Sequence, residues 1–199
     1  NGNYVFNDYW NFAGTTLPSG WELGAWCIGS SVTATVTVNN GLTLNNTNGN
    51  QNCQYLYYGT ATFSPPIVFE EYTESTTTNT SATGSIAGMG INSGTSVSGT
   101  NFWLSRIKNV NSPVWDYWIA STEYTGGSMK NNALYVLGVA SNGATSYVYA
   151  YGNGIYYSAS STATFPTSFY LVIGDVDAYA VQVVYWARIR AYPPNGVMP

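Results

Sequence analysis

The sequence contains no histidine and few charged residues of either sign. Histidine is the commonest general base and metal ligand, so its absence excludes a Ser-His-Asp triad and disfavours a transition-metal centre. Charged residues make up 7% of the 199 residues, with five Lys and Arg against nine Asp and Glu. So small a number of cations also argues against nucleic acid as a partner, because phosphate binding needs a basic surface.

Cysteine is equally scarce, with Cys27 and Cys53 alone and no CxxC spacing. The two residues form either a disulfide or a pair of buried thiols, and the disulfide is favoured because the other features are those of secreted proteins. N-glycosylation sequons begin at Asn45 and Asn79. No run of about 20 apolar residues is present, so no transmembrane segment is predicted. We therefore expect an extracellular, cell-surface location.

What the sequence does have is aromatic residues, at 16% with 18 Tyr, and a period-two alternation of apolar and polar residues. Residues 32–38 alternate cleanly, an Asn-Asn-Gly turn follows, and residues 42–44 return, which predicts a hairpin. No segment shows a helical period. We expect one domain over residues 1–192 and an extended tail over 193–199. Further strands are predicted at residues 55–63, 67–73, 115–122, 133–140, 147–151, 169–173 and 179–192.

Four segments indicate a protein family. They are "FNDYWNFAGTTLPSGWEL", "VTVNNGLTL", "FSPPIVFEEY" and "FYLVIGD" followed by "VVYWARIRAYPP", in this order along the chain. Together they resemble the concanavalin A-like lectin/glucanase superfamily in its LamG-like form, which is found in secreted and surface proteins of archaea and bacteria. The resemblance implies an all-β, jelly-roll sandwich of two antiparallel sheets, with the first and last strands adjacent. A fold alone does not give a function.

Three carboxylates lie close together in the segment "FEEYTE". Glucanases of this superfamily carry Glu-x-Asp-x-Glu on one strand, and Glu70, Tyr72 and Glu74 would share a face here while Glu71 points away. Tyr72 stands where the family has Asp. We therefore predict no catalytic residue and no enzyme, and interpret the segment as a polar or edge strand. The Ser/Thr-rich residues 73–85 are expected to form a loop or an edge strand.

No metal and no cofactor are predicted. The segment "GDVD" at residues 174–177 offers two carboxylates, which are few for a calcium site, and a turn explains them equally well.

Aromatic residues on predicted strands are the candidates for carbohydrate binding. Tyr147, Tyr149 and Tyr151 alternate with Val148 and Ala150, so the three tyrosines share a face. Trp115 and Tyr117 share a face of another strand. Such rings either stack on sugars or fill a wide sandwich and its interfaces.

The last predicted strand places two of the five cations together. Strict alternation puts Trp186, Arg188 and Arg190 on the face of Gln182 and Val184. The apolar face would then consist of Val181, Val183, Tyr185, Ala187 and Ile189.

These features favour a non-enzymatic structural protein that assembles with copies of itself into a surface filament, pilus or surface layer. Low net charge promotes association, and sheet edges offer main-chain hydrogen bonds for strand addition. The alternative is a lectin-like adhesion module with glycans as partners. A glycoside hydrolase ranks third.

Overall fold

A computed structural model describes residues 6–25, 35–46, 54–77, 85–94, 102–109, 112–176 and 179–193. These residues form strands and connecting turns, and no helix occurs among them. Accordingly, no described helix could span a membrane. The strands are β1 Asp8–Trp10, β2 Trp21–Ala25, β3 Thr35–Val38, β4 Leu42–Asn45, β5 Gln54–Tyr58, β6 Ile67–Thr77, β7 Ser85–Asn92, β8 Phe102–Asn109, β9 Val114–Ile119, β10 Thr122–Ser128, β11 Leu134–Ser141, β12 Ser146–Gly152, β13 Ile155–Ser161, β14 Tyr170–Val176 and β15 Ala180–Arg190.

The strands form two antiparallel sheets. The first sheet has the order β13-β12-β11-β6-β15-β4-β3, and β1 pairs with β15 beside β4. The second sheet has the order β10-β9-β8-β7-β14-β5-β2. The predicted all-β, two-sheet antiparallel sandwich is confirmed, and the first and last strands are neighbours.

Turn chemistry in the sequence accounts for several of the hairpins. The predicted Asn-Asn-Gly turn joins β3 to β4, and Asn40 and Gly41 both have positive φ. Asn153 and Gly154 do the same between β12 and β13. Asn and Gly accept this backbone conformation more readily than other residues, so the turns fix the register of their strands.

The core lies between the inner faces of the sheets. It is built from aliphatic and aromatic side chains that alternate with outward-facing residues along each strand. Leu137 and Val139 of β11 contribute from the first sheet, and Trp103 and Ile107 of β8 from the second. The outer face of each sheet is therefore not part of this core.

Two local predictions were wrong. First, β6 is neither an edge strand nor followed at once by a loop, because it continues through Thr77 and pairs with β11 on one side and β15 on the other. Its charges lie at the centre of the sheet. They therefore have to be satisfied by neighbouring strands and cannot serve to block an edge.

Second, β15 does not alternate uniformly. The register shifts by one residue between Val184 and Trp186, so Tyr185 is the extra residue of a β-bulge. As a result Gln182 and Val184 are buried on the same side as Ala187 and Ile189, opposite to the predicted arrangement. Trp186, Arg188 and Arg190 remain together on the other face.

Candidate functional site

The outer face of the first sheet carries two cross-strand rows of residues. The charged row consists of Arg188, Glu70, Gly138 and Tyr149, paired across β15, β6, β11 and β12. The aromatic row lies one step along the strands and consists of Trp186, Tyr72, Val136 and Tyr151. Both rows are generated by the two-residue period of the strands.

Glu70 is the centre of the charged row and is fully buried. Its Oε1 accepts hydrogen bonds from the Tyr149 hydroxyl at 2.7 Å and from Arg190 Nη2 at 3.1 Å. Its Oε2 accepts from Arg188 Nε at 2.7 Å and Arg190 Nε at 3.2 Å. Both carboxylate oxygens are thus occupied by donors of the same chain.

These donors determine the charge state of Glu70. Burial opposes ionisation, but the Arg190 hydrogen bond and the charges of Arg190 and Arg188 outweigh it, so the pKa of Glu70 lies below its ordinary value. Burial, together with the Glu70 charge, raises the pKa of Tyr149 well above that of free tyrosine. Glu70 is therefore a permanently ionised structural group at neutral pH. It has no proton to give to a leaving group.

Gly138 makes this arrangement possible. A Cβ atom at this position would meet the Tyr149 ring at 2.2 Å. Because glycine has no side chain, the ring lies across β11 and its hydroxyl reaches Glu70 on the far side. The ion cluster and the glycine are one structural unit.

The aromatic row continues beyond the sheet centre to the N-terminal strand. Tyr72 stacks on Trp186 with ring centroids 5.5 Å apart, Trp186 on Tyr9 at 6.4 Å, and Tyr9 on Phe6 at 5.8 Å. The Arg188 guanidinium lies 4.5 Å from the centroids of both Trp186 and Phe6. A band of half-buried rings therefore crosses β6, β15 and β1.

A depression of about 480 Å³ opens at the other end of the aromatic row. Its apolar lining includes Leu134 and Val136 of β11, flanked by Tyr72 and Tyr151. Its polar lining consists of Glu74 and two turn asparagines, Asn132 and Asn153. Aromatic and apolar surface with a small number of polar groups is the usual composition of a small-ligand site.

The candidate carbohydrate-binding residues divide between two faces. Tyr147, Tyr149 and Tyr151 lie together on the outer face of the first sheet, and Tyr149 is buried by its bond to Glu70. Trp115 is buried in the core, where it stacks on Tyr117 with centroids 4.3 Å apart. The structure thus brings Tyr151 to the depression and leaves Trp115 and Tyr117 on the inner face of the second sheet.

The second sheet has its own ion cluster on its outer face. Arg106 and Asp116 are both buried and joined by a hydrogen bond of 2.7 Å from Arg106 Nε, while Lys108 Nζ lies 2.9 Å from Glu123. Burial, with a further contribution from Glu123, raises the pKa of Asp116 to about 6 despite Arg106. The Trp118 ring lies 5.3 Å from the Arg106 guanidinium carbon.

The remaining predictions fall on other parts of the chain. Asn45 is the last residue of β4. Cys27, Cys53, Asn79 and Asp177 lie outside the described residues. The disulfide and both glycosylation sites remain predictions.

Sequence reasoning missed two features. It weighed Glu74 and Tyr72 as parts of a catalytic motif and overlooked them as lining of the depression. It also overlooked the Arg106–Asp116 pair, for which the signal was the alternation of Arg106 with Lys108 in "WLSRIKN". In each case the missing information was which strands are neighbours.

Comparison with known proteins shows which solved structures share this fold. No protein-family model and no curated protein matches the sequence. Among solved structures, lectin II from Ulex europaeus matches with a TM-score of 0.61 and 7% identity, over 94% of this chain and all of that one (100%). A glycosyl hydrolase family 16 protein from Mycobacterium smegmatis matches with a TM-score of 0.63 and 10% identity, over 93% and 100% of the two chains.

A third match is the xyloglucan PUL protein GH43B of Bacteroides ovatus, with a TM-score of 0.63 and 10% identity. The match covers 92% of this chain and 39% of that protein, so this chain corresponds to less than half of it.

These matches overturn the prediction of a filament or surface-layer subunit. The matched structures are lectins and glycoside hydrolases, and self-assembly has no support from them. With two antiparallel sheets, adjacent terminal strands and these neighbours, the chain has the concanavalin A-like lectin/glucanase fold.

Proposed function

We propose that the protein is a lectin-like carbohydrate-binding module, and that it binds glycans in the depression beside the aromatic row. The observation that carries the proposal is the lining of this depression, in which Tyr72 and Tyr151 lie beside Glu74, Asn132 and Asn153. Sugar rings have apolar faces that pack on aromatic side chains and hydroxyl groups that pair with carboxylate and amide groups. The lectin neighbours support the same function.

The row of rings extends beyond the depression. Tyr72 lines the depression and also stacks on Trp186, which continues the row of rings towards Tyr9 and Phe6. A glycan chain that enters the depression would lie along this band.

The proposal is non-enzymatic. Retaining glycosidases need two carboxyl groups about 5–5.5 Å apart, one of them able to carry a proton. Glu70 is buried and ionised, and Tyr72 separates it from Glu74 along β6. We place the module outside the cell, as a secreted or surface protein, because glycans are abundant there.

Glycan-array binding followed by titration calorimetry tests the proposal. Two variants target the depression: Tyr72→Ala removes a ring, and Leu134→Trp fills the space from a side chain that is 38% exposed. Each should weaken binding about tenfold or more, equivalent to about 1.4 kcal/mol.

Tyr124→Ala is the matched control, because Tyr124 is an exposed tyrosine on the second sheet. It should bind like the unmodified protein. Absence of glycan binding, or normal affinity in Leu134→Trp, would overturn the proposal.

A further inference from the structure

We propose that Glu74 makes the depression selective for amino sugars that carry a free ammonium group. This inference rests on the proposed function, because it specifies the sugar that the same site prefers. It follows from the charge of the lining: Glu74 is the one ionisable acid or base among the described residues that surround the depression, apart from the two tyrosines.

Glu74 differs from the carboxylates of the two ion clusters. Glu70, Asp116 and Glu123 each pair with an arginine or a lysine. Among the described residues no salt bridge includes Glu74, whose Oε1 accepts a hydrogen bond from the Tyr185 hydroxyl at 2.8 Å. A neutral donor orients the carboxylate and leaves its charge uncompensated.

The two arginines on the outer face of β15 are not available to Glu74. Arg188 and Arg190 both bond to Glu70, four residues away along β6. Both guanidinium groups are held by Glu70, which neutralises one of the two positive charges, and neither forms a salt bridge with Glu74 among the described residues.

A protonated amine matches both the negative charge of Glu74 and the aromatic rings beside it. It donates up to three hydrogen bonds to a carboxylate, and aromatic faces attract a cation by its interaction with the ring quadrupole. Tyr72 and Tyr151 supply such rings in the same lining. An acidic sugar would be repelled by Glu74, and an N-acetylated sugar would offer no charge to it.

The test uses three oligosaccharides of equal length, measured by calorimetry at about pH 5.5, where a sugar amine is protonated. They are a glucosamine oligomer, its N-acetylated form and an oligogalacturonate. We expect the glucosamine oligomer to bind about tenfold more tightly than the N-acetylated form, and the oligogalacturonate to bind most weakly. Glu74→Gln should abolish this preference, so that the glucosamine and N-acetylated oligomers bind with equal affinity.

Glu22→Gln is the matched control, because Glu22 also accepts a tyrosine hydroxyl, from Tyr57 at 2.8 Å, but lies on the second sheet. It should retain the preference. Equal binding of charged and N-acetylated oligomers, or a preference that survives in Glu74→Gln, overturns the inference while leaving the proposed function intact.

Two further outcomes test whether the site accepts any cation and whether it binds oligosaccharides at all. A tetralysine peptide that binds as tightly as the glucosamine oligomer, and loses affinity in Glu74→Gln, would show a general cation site and overturn the amino-sugar assignment. Failure of every oligosaccharide to bind would overturn both the inference and the proposed function.

Discussion

The two sheets each hold a buried ion cluster on their outer face, but the buried carboxylate has different charged neighbours in each. In the first sheet one carboxylate, Glu70, meets two arginines. In the second sheet the buried Asp116 meets one arginine, Arg106, and lies beside a second carboxylate, Glu123, which also pairs with Lys108. Burial raises the pKa of a carboxyl group in both places, yet the pKa of Glu70 ends below its ordinary value and that of Asp116 above it.

The difference shows that the charges next to a buried carboxylate, and not burial alone, decide its charge state. Glu70 is locked in the ionised form and serves as a structural anchor for Tyr149 and two arginines. Asp116 takes up a proton within the physiological range of pH. The same fold therefore contains one cluster that is insensitive to mild acid and one that responds to it.

The largest expected loss of stability comes from replacing Glu70, whose carboxylate holds Tyr149 and two arginines. Glu70→Gln leaves Arg188 and Arg190 facing a neutral amide, and breaking one side of a buried ion pair costs about 3–5 kcal/mol. Since both arginines are 20% exposed, we expect a loss of about 3 kcal/mol in the free energy of unfolding, measured by urea denaturation.

Glu22→Gln provides the comparison, because this carboxylate is exposed and should change stability by less than about 0.5 kcal/mol. A loss below about 1 kcal/mol in Glu70→Gln would contradict the anchoring role.

A smaller loss of stability is expected from Gly138→Ala. The new methyl group would collide with the Tyr149 ring and displace its hydroxyl from Glu70, and overpacking of this kind costs about 1–3 kcal/mol. Urea unfolding gives the change in stability. In a Tyr149→Leu background the ring atoms that collide are gone, so the cost of Gly138→Ala should shrink. An unchanged cost in that background would show that the glycine is needed for another reason.

The smallest expected effect is the change of stability with pH that Asp116 of the second cluster causes. The pKa of Asp116 is raised in the folded protein, so its contribution to stability is fully present below the unfolded value of about 3.8 and is lost as the pH rises through about 6. Urea unfolding should therefore show about 1 kcal/mol more stability at about pH 5 than at about pH 7.

Asp116→Asn should flatten the profile in this interval, whatever its effect on overall stability. The Glu70 pKa is lowered, so its contribution has the opposite sign and is lost only as the pH falls below the ordinary carboxyl range. A wild-type profile that rises steadily from pH 5 to pH 7 would be incompatible with the raised pKa of Asp116.

The sequence allows the faces of most strands to be predicted. Alternation placed Glu70, Tyr72 and Glu74 together, and the structure confirms that they share the outer face of β6. It also placed Tyr147, Tyr149 and Tyr151 on one side of β12. A period of two residues is a local property, so a single segment is enough to reveal it.

Which strands lie side by side is a different kind of information. Glu70 meets Arg188 because β6 pairs with β15 across more than a hundred residues of sequence. No local pattern in either segment specifies that pairing, which depends on the packing of the whole sandwich. The depression was missed for the same reason, since its lining combines β6, β11 and the turn after β12.

The bulge at Tyr185 has a consequence for evolution and engineering of this chain. It divides β15 into two halves whose inward and outward positions are out of phase by one residue. A deletion of Tyr185 would restore uniform alternation and leave Arg188 and Arg190 on the outer face, because Tyr185 and Trp186 both face outward at the bulge. When relatives are aligned, a one-residue gap within β15 is therefore tolerable at Tyr185 and disruptive elsewhere in the strand, where it would exchange the inward and outward positions of one half.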